Sequence, residues 1–234
     1  MNATNVLHKF GIHVQKHHDA YKDVVRIMGD RLTHAVDGGA HRGGITEVLL
    51  THFPSITVHA FEPQEWPHQK LVEAWGANPR VRIYQQAIGD YDGQATFYIN
   101  RPNQSSLLKT LLPEEMESTG KTQDVTVVRL DTWSQSAGIV PEFIKLDLQG
   151  NELQALRGAG GILKNGVKAI VTEVNFQPRY EACSMFHDVG RFLYDQDFRL
   201  YRCYDLCGGR NGCWLQGDAL FLRRDVFDAI PHVH

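Results

Sequence analysis

Ala35-Val36-Asp37-Gly38-Gly39-Ala40-His41-Arg42-Gly43-Gly44 is the stretch on which the reading of this chain turns. An apolar run stops in an acid, four glycines follow at close spacing, and an amphipathic segment begins directly after them. Glycine lacks a Cβ, so Gly38, Gly39 and Gly43 let a strand turn sharply into a helix and let a ligand approach the main chain. The pattern predicts the first βα turn of a Rossmann-like sheet. Asp37 then stands at the carboxyl end of its strand, the edge at which open α/β sheets bind ligands.

The spacing separates two kinds of cofactor. A dinucleotide loop reads G-x-G-x-x-G, whereas this one reads D-x-G-x-x-x-G from Asp37 through Gly39 to Gly43. A carboxylate at this edge repels a pyrophosphate and attracts the ammonium or sulfonium of S-adenosylmethionine (SAM). The loop therefore favours SAM over NAD, with a purely structural glycine turn left open as the alternative.

Outward from the loop, residues 32–37 read as strand one and 43–53 as a helix with Ile45, Val48, Leu49 and Phe53 inward, ended by Pro54. Residues 56–61 form a second strand ending in Glu62-Pro63, about 20 residues past the glycines, where a carboxylate accepts the vicinal hydroxyls of a ribose. An acid before a helix also favours the helix N-terminus by itself. A helix over 65–76 and a strand over 81–85 lead to Ala87 and Ile88, small apolar residues suited to a purine face or to the core. Residues 93–100 and 124–130 then alternate as strands, an antiparallel excursion from plain βαβ order. The polar stretch 101–123 between them is long for an idle loop and reads as a substrate lid, in which Ser105 and Ser106 contact a ligand or make a turn.

The second focus is Phe143-Ile144-Lys145-Leu146-Asp147-Leu148-Gln149-Gly150. A strand here puts Phe143, Lys145 and Asp147 on one face and brings Asp147 to the edge that already holds Asp37 and Glu62. Asp147 could equally cap the next helix or pair with Lys145. That helix carries Glu152, Leu153 and Leu156 and breaks at Gly158-Ala159-Gly160-Gly161. Strand five, 167–174, takes Glu173 to the same edge. Residues 185–223 read helix, strand, glycine-rich turn, strand, so the last two strands are antiparallel neighbours. The expected fold is α/β and Rossmann-like: a seven-stranded, mostly parallel sheet with one antiparallel strand and a hairpin-like excursion after strand three. Residues 1–31 read as a helical segment packed on a single domain, 32–234, and His8, His13, His17 and His18 as a solvated face rather than a zinc site.

With 234 residues, 42% of them hydrophobic and 22% charged, and a net charge of −3, the chain suits one soluble enzyme domain with no broad attraction to nucleic acid. No apolar run reaches the roughly 18 residues of a membrane span. The expected address is the cytoplasm and the expected partner a small-molecule acceptor, with neither nucleic acid nor membrane involved. Cys183, Cys203, Cys207 and Cys213 read as free thiols. C-x3-C-x5-C over the last three lacks the paired spacing of a zinc site, so no metal is assigned from them.

Several ordered blocks taken together resemble the FkbM-type SAM-dependent methyltransferases over roughly residues 33–223. They are Val36-Asp37-Gly38-Gly39-Ala40 with Gly43, Ala60-Phe61-Glu62-Pro63, Gln86-Ala87-Ile88-Gly89-Asp90 with Gly93, Leu130-Asp131, Phe143 to Asp147 with Gly150 and Glu152, Gly158-Ala159, and Gly217-Asp218-Ala219-Leu220-Phe221. The resemblance implies a class I methyltransferase fold and O-methylation of a hydroxyl on a sugar, polyketide or similar metabolite. It implies Asp37, Gly39, Ala40 and Gly43 at the methionine end of SAM, Glu62 at the ribose, Ala87 and Ile88 at the adenine, and Asp147 facing the transferred methyl. His41 stands where the family often has asparagine and bears on a SAM contact. Gln149 stands where it often has an acid.

Methyl transfer from a sulfonium is an in-line displacement, so the protein must align the reacting atoms and take the hydroxyl proton. Asp147 and Glu173 are the candidate bases by topology, with His41 third. An amine or carboxylate acceptor needs no strong base and suits the same site. Magnesium would suit hard oxygen ligands, but no dense D-x-D cluster argues for it, and a divalent metal stays unassigned. The rival readings are a SAM-binding partner or regulatory module without catalysis and, less favoured, an NAD-dependent oxidoreductase.

Overall fold

The computed structural model describes residues 19–100, 104–111, 118–208 and 212–231. Helix α1, Ala20–Met28, starts where the Asp19 side chain accepts the Tyr21 N–H at 2.9 Å, and it buries Ala20, Val24 and Met28. Of the expected helical segment 1–31, residues 1–18, with His8, His13, His17 and His18, lie outside the described residues.

Strand β1, His34–Gly38, gives way to helix α2, Gly44–His52, and the same alternation continues through β2, Thr57–Phe61, helix α3, Glu65–Trp75, and β3, Val81–Tyr84. The chain then leaves this order. Short β4, Ala87–Ile88, pairs with β6, Ser118–Val128, which pairs antiparallel with β5, Gly93–Asn100. Helix α4, Leu130–Ala137, returns it to β7, Phe143–Leu146, and helices α5, Glu152–Arg157, and α6, Gly160–Asn165, precede β8, Ala169–Asn175. Helix α7, Phe186–Asp195, strands β9, Phe198–Gly208, and β10, Trp214–Arg223, and helix α8, Arg224–Asp228, complete the described elements.

The large sheet has seven strands in the order β3-β2-β1-β7-β8-β10-β9. Only β10 is reversed, pairing antiparallel with both β8 and β9. This is the doubly wound fold expected from the sequence, including the excursion after β3. Central strands are apolar on both faces because helices cover both. Val36, Ile144, Leu146, Ile170 and Val174 face one core, while Ala35, Phe143, Val171, Leu220 and Leu222 face the other, together with Val24 and Met28 of α1.

Two expectations are corrected in detail. The polar stretch 101–123 is shorter as a loop than the sequence suggests, because 118–123 belong to β6; residues 101–103 and 112–117 lie outside the described residues. The glycines at 158–161 break one helix but also begin the next. Asp131, at the start of α4, accepts the Gly161 and Ile162 N–H groups at 2.9 to 3.0 Å and so caps α6 from outside its own segment. Among the described residues no helix is long and apolar enough to cross a membrane.

Candidate functional site

Parallel pairing of β2, β1, β7 and β8 brings their carboxyl ends to one edge, where the expected acids gather. The glycine loop leaves β1 with Gly39 at φ +72°, and a Cβ there would lie 2.0 Å from the Asp147 carbonyl oxygen. Only glycine lets the two crossing segments approach so closely. His41 is also left-handed, at φ +50°. Asparagine and histidine are among the residues that tolerate this conformation, which accounts for an asparagine-like position here.

Asp37 lies beneath the loop, fully buried. Thr46 Oγ1 donates to its Oδ2 at 2.7 Å, and Lys145 Nζ faces its Oδ1 at 3.3 Å as an ion pair. The same ammonium donates to the Gly38 and Gly39 carbonyls at 3.1 and 3.0 Å. Lys145 therefore pairs with Asp37, not with Asp147, and holds the loop from below. Its burial lowers its pKa, but Asp37 and Asp147 outweigh that and keep it charged.

Above the loop lies a cleft of about 290 Å³ lined by Gly39, His41, Phe61, Glu62, Gln86, Ala87, Ile88, Ser105, Asp147 and Gln149, among others. Glu62 receives the His41 N–H on Oε2 and the Gln64 N–H on Oε1, both at 2.9 Å. Burial pushes its carboxyl up to about 7 despite these two donors. Ala87 and Ile88 form an apolar wall, and Asn151 Nδ2 fixes that wall by donating to the Ile88 carbonyl at 3.1 Å. Behind the cleft, Phe61 stacks on Tyr84 with centroids 4.6 Å apart. Of the residues expected at the cofactor, Gly39, His41, Glu62, Ala87, Ile88 and Asp147 line the cleft. Asp37, Ala40 and Gly43 shape the loop from behind it.

The half-buried Asp147 carboxylate accepts Gln149 Nε2 at 2.7 Å on Oδ1. The same amide nitrogen lies 3.3 Å from Glu173 Oε2, and Gln149 Oε1 accepts the Tyr180 hydroxyl at 2.8 Å. Gln149, itself at φ +54°, thus bridges the two acids expected as candidate bases. Glu173 is 7% exposed. Its pKa is raised well above the ordinary range by burial, then by the neighbouring charges of Asp147, Glu152 and Asp218. Glu152 caps the turn after β7, its Oε1 accepting the Leu148 and Gly150 N–H groups at 2.8 and 3.2 Å. Asn151, not Asp147, occupies the N-cap position of α5.

The two serines part company. Ser105 lines the cleft, and its hydroxyl accepts the Asn100 N–H at 3.1 Å. Ser106 is buried and donates to the Gln149 carbonyl at 2.8 Å, tying the 104–111 stretch to the turn after β7. Sequence reasoning passed over Gln216 at this edge and named Asp218 only as part of the Gly217 to Phe221 block, without a role. Gln216 Nε2 donates to Glu173 Oε1 at 3.0 Å, and Asp218 stands opposite Glu173 in register. The available signal was two polar residues at period two on a strand whose next same-face positions are Leu220 and Leu222. Cys183, Cys203 and Cys207 carry free thiols, and among the described residues no group of three His, Cys, Asp or Glu side chains converges to hold a metal ion.

The family model described as the Methyltransferase FkbM domain matches residues 37–200. A methyltransferase FkbM structure from Methylobacillus flagellatus KT superposes with a TM-score of 0.54 at 17% identity, over 82% of this chain and 44% of that one. This chain thus spans less than half the length of that relative. An rRNA methylase from Streptococcus thermophilus superposes with a TM-score of 0.50 at 11% identity, over 91% of this chain and 99% of that one. At these identities the likeness is one of fold. No curated protein sequence matches the chain.

Proposed function

Because the chain belongs to the FkbM methyltransferase family, we propose that it transfers a methyl group from SAM to a hydroxyl oxygen of a small-molecule acceptor. The observation that carries this reading is the Asp147 carboxylate, exposed to the cleft on one side and held by Gln149 on the other.

The cleft's donor set fits SAM. Glu62 suits the ribose hydroxyls, Ala87 and Ile88 the adenine, and Gly39 and His41 the methionine end, with Asp37, Ala40 and Gly43 setting the loop's shape. A volume of about 290 Å³ is on the scale of pockets for small ligands. When bound, SAM supplies a methyl group activated by its sulfonium. Asp147 takes the acceptor's hydroxyl proton, with Gln149 fixing Oδ1 and leaving Oδ2 for that proton. Glu173, whose pKa is raised by burial and then by its acidic neighbours, is the second candidate base and supports the site through Gln149. An edge carrying Asp147, Glu173 and Asp218 opposes a phosphate backbone, which supports a small acceptor over nucleic acid. The free thiols of Cys183, Cys203 and Cys207 suit the reducing cytoplasm, which we include in the proposal.

The test is Asp147→Asn, assayed with an acceptor found by screening hydroxylated metabolites. Turnover should fall by about 10²–10⁴-fold while affinity for S-adenosylhomocysteine stays within a few-fold. Full turnover in the variant would remove Asp147 as the base.

A further inference from the structure

The sheet face that carries Phe143, Val171 and Leu220 changes character at its carboxyl edge. There Glu173 and Asn175 of β8 stand two residues apart on one face, directly opposite Asp218 and Gln216 of β10. Alternation along β8 confirms the facing, since Ile170 and Val174 belong to the other core. Asn175 is 0% exposed, yet among the described residues neither its Nδ2 nor its Oδ1 has a hydrogen-bond partner, and Gln216 Oε1 has none either. Unpaired buried amides of this kind cost about 1–3 kcal/mol each and call for an explanation.

The charges around them are one-sided. Burial and then the charges of Asp147, Glu152 and Asp218 raise the pKa of Glu173, and Asp218 is pushed up to about 6 by burial and by Asp147. Among the described residues the cations nearby are Lys145, already engaged by Asp37 and the loop carbonyls, and Arg179, whose charge lowers the Glu173 pKa. Tyr21 of α1 closes the layer from the helix side, its ring edge-on to Phe143 and its hydroxyl within the field of Asp37, Asp218 and Asp147. Gln149 joins this layer to the cleft, reaching Asp147 and Glu173 with one amide nitrogen.

We propose that this layer is the acceptor subsite and that it takes a protonated amine on a hydroxylated small molecule, such as an amino sugar or aminocyclitol. The ammonium donates to the Asp218 and Glu173 carboxyl oxygens and to the orphaned amide oxygens of Asn175 and Gln216, and the Asn175 amide nitrogen donates to a hydroxyl of the same molecule. A second hydroxyl is thereby directed to Asp147. Three acids facing amide oxygens suit an organic cation, whose donors point in several directions, and the anchored amine is distinct from the oxygen that is methylated. The inference rests on the methyltransferase reading of the neighbouring cleft.

The experiment uses the full chain and begins with calorimetric titration of S-adenosylhomocysteine, whose failure would count against the cofactor reading alone. Protein saturated with that ligand is then titrated with a panel of amino sugars and aminocyclitols, led by glucosamine and 2-deoxystreptamine, each beside its N-acetylated counterpart. At least one free amine should bind ten times or more tightly than its acetylated form. Asp218→Asn should weaken it about tenfold with S-adenosylhomocysteine affinity held within twofold, which also reports that the variant is folded. Equal binding of amines and acetylated forms, no binding of either to the loaded protein, or an amine affinity indifferent to Asp218→Asn would overturn the proposal.

Discussion

Replacing Lys145 by methionine removes the cation beneath the glycine loop while keeping the length and apolar body of the side chain. Its side chain is 7% exposed and that of Asp37 0%, so neither partner can turn to water. Truncating one member of a buried ion pair costs about 3–5 kcal/mol. The charge term has a ceiling, since protonating a carboxyl of ordinary acidity at pH 7 costs about 4 kcal/mol and relieves the stranded anion. The Gly38 and Gly39 carbonyls also lose their donor, at 3.1 and 3.0 Å. We therefore expect Lys145→Met to lower unfolding free energy by about 4 kcal/mol, a large part of the roughly 5–15 kcal/mol of an ordinary domain. Adding Asp37→Asn removes the stranded charge and should restore about 2–3 kcal/mol, the carbonyls remaining unpaired. Urea unfolding followed by circular dichroism at pH 7 gives all four corners of the cycle. A loss below about 1 kcal/mol in the single variant, or a double variant no more stable than it, would refute the account of the loop.

Three further outcomes follow from the site and its surroundings. Glu62, pushed up to about 7, binds hydroxyls as a carboxylate, so protons compete with the ligand. S-adenosylhomocysteine affinity should weaken about fivefold from pH 7 to pH 6, and Glu62→Gln should flatten that slope; an already flat wild-type profile speaks against the assignment. Gln149→Glu sets a third carboxylate against Asp147 and Glu173 in place of an amide 2.7 Å from the first, so the acid limb of the turnover profile should rise by about 1 pH unit, and an unmoved limb would remove Gln149 as the residue that positions the base. His59 is 1% exposed between His34 and Tyr84, 3.2 Å from each, and burial with His34 lowers its pKa to about 4. The unfolded chain then binds the proton between pH 6.5 and 4, and stability is lost as pH falls through that window. Relative to His59→Gln, the wild type should lose about 2 kcal/mol from pH 7 to pH 5, and parallel stability curves would show that His59 is not held neutral.

The parts of the fold that were legible are those where one segment carries its own explanation. β1, β2 and β7 are apolar runs that stop in Asp37, Glu62 and Asp147, because strands buried on both faces need apolar residues throughout and ligand-binding groups collect where burial ends. Helix α4 was not legible. Leu130, Trp133 and Ser134 are its buried residues, too few to draw a helical stripe, and the alternation of β6 runs straight into it. The early half of β6 escaped notice for the opposite reason: Lys121, Thr122 and Gln123 are polar on both faces and show no contrast. Helix α6 depends on Asp131, thirty residues away, which no local pattern reveals.

The candidate site divides along the same line. Gly39, Glu62 and Asp147 follow from loop spacing and strand ends. The partner of Lys145 does not: two residues away in sequence stood Asp147, and 108 positions away stood Asp37, which parallel pairing of β1 with β7 brings alongside. Gln149 showed in the sequence only as a missing acid. In the fold its amide satisfies two carboxylates and a tyrosine hydroxyl at once, a role that depends on β8 delivering Glu173 to its side.

The central claim is that the cleft over the glycine loop holds an adenosyl ligand, and calorimetric titration with S-adenosylhomocysteine, with NAD as control, tests it most directly. The account predicts a dissociation constant on the order of micromolar for S-adenosylhomocysteine, no heat with NAD, and at least about tenfold weaker binding in Glu62→Ala. Absence of binding at a temperature where circular dichroism shows the folded chain, or an affinity unchanged by Glu62→Ala, would contradict it.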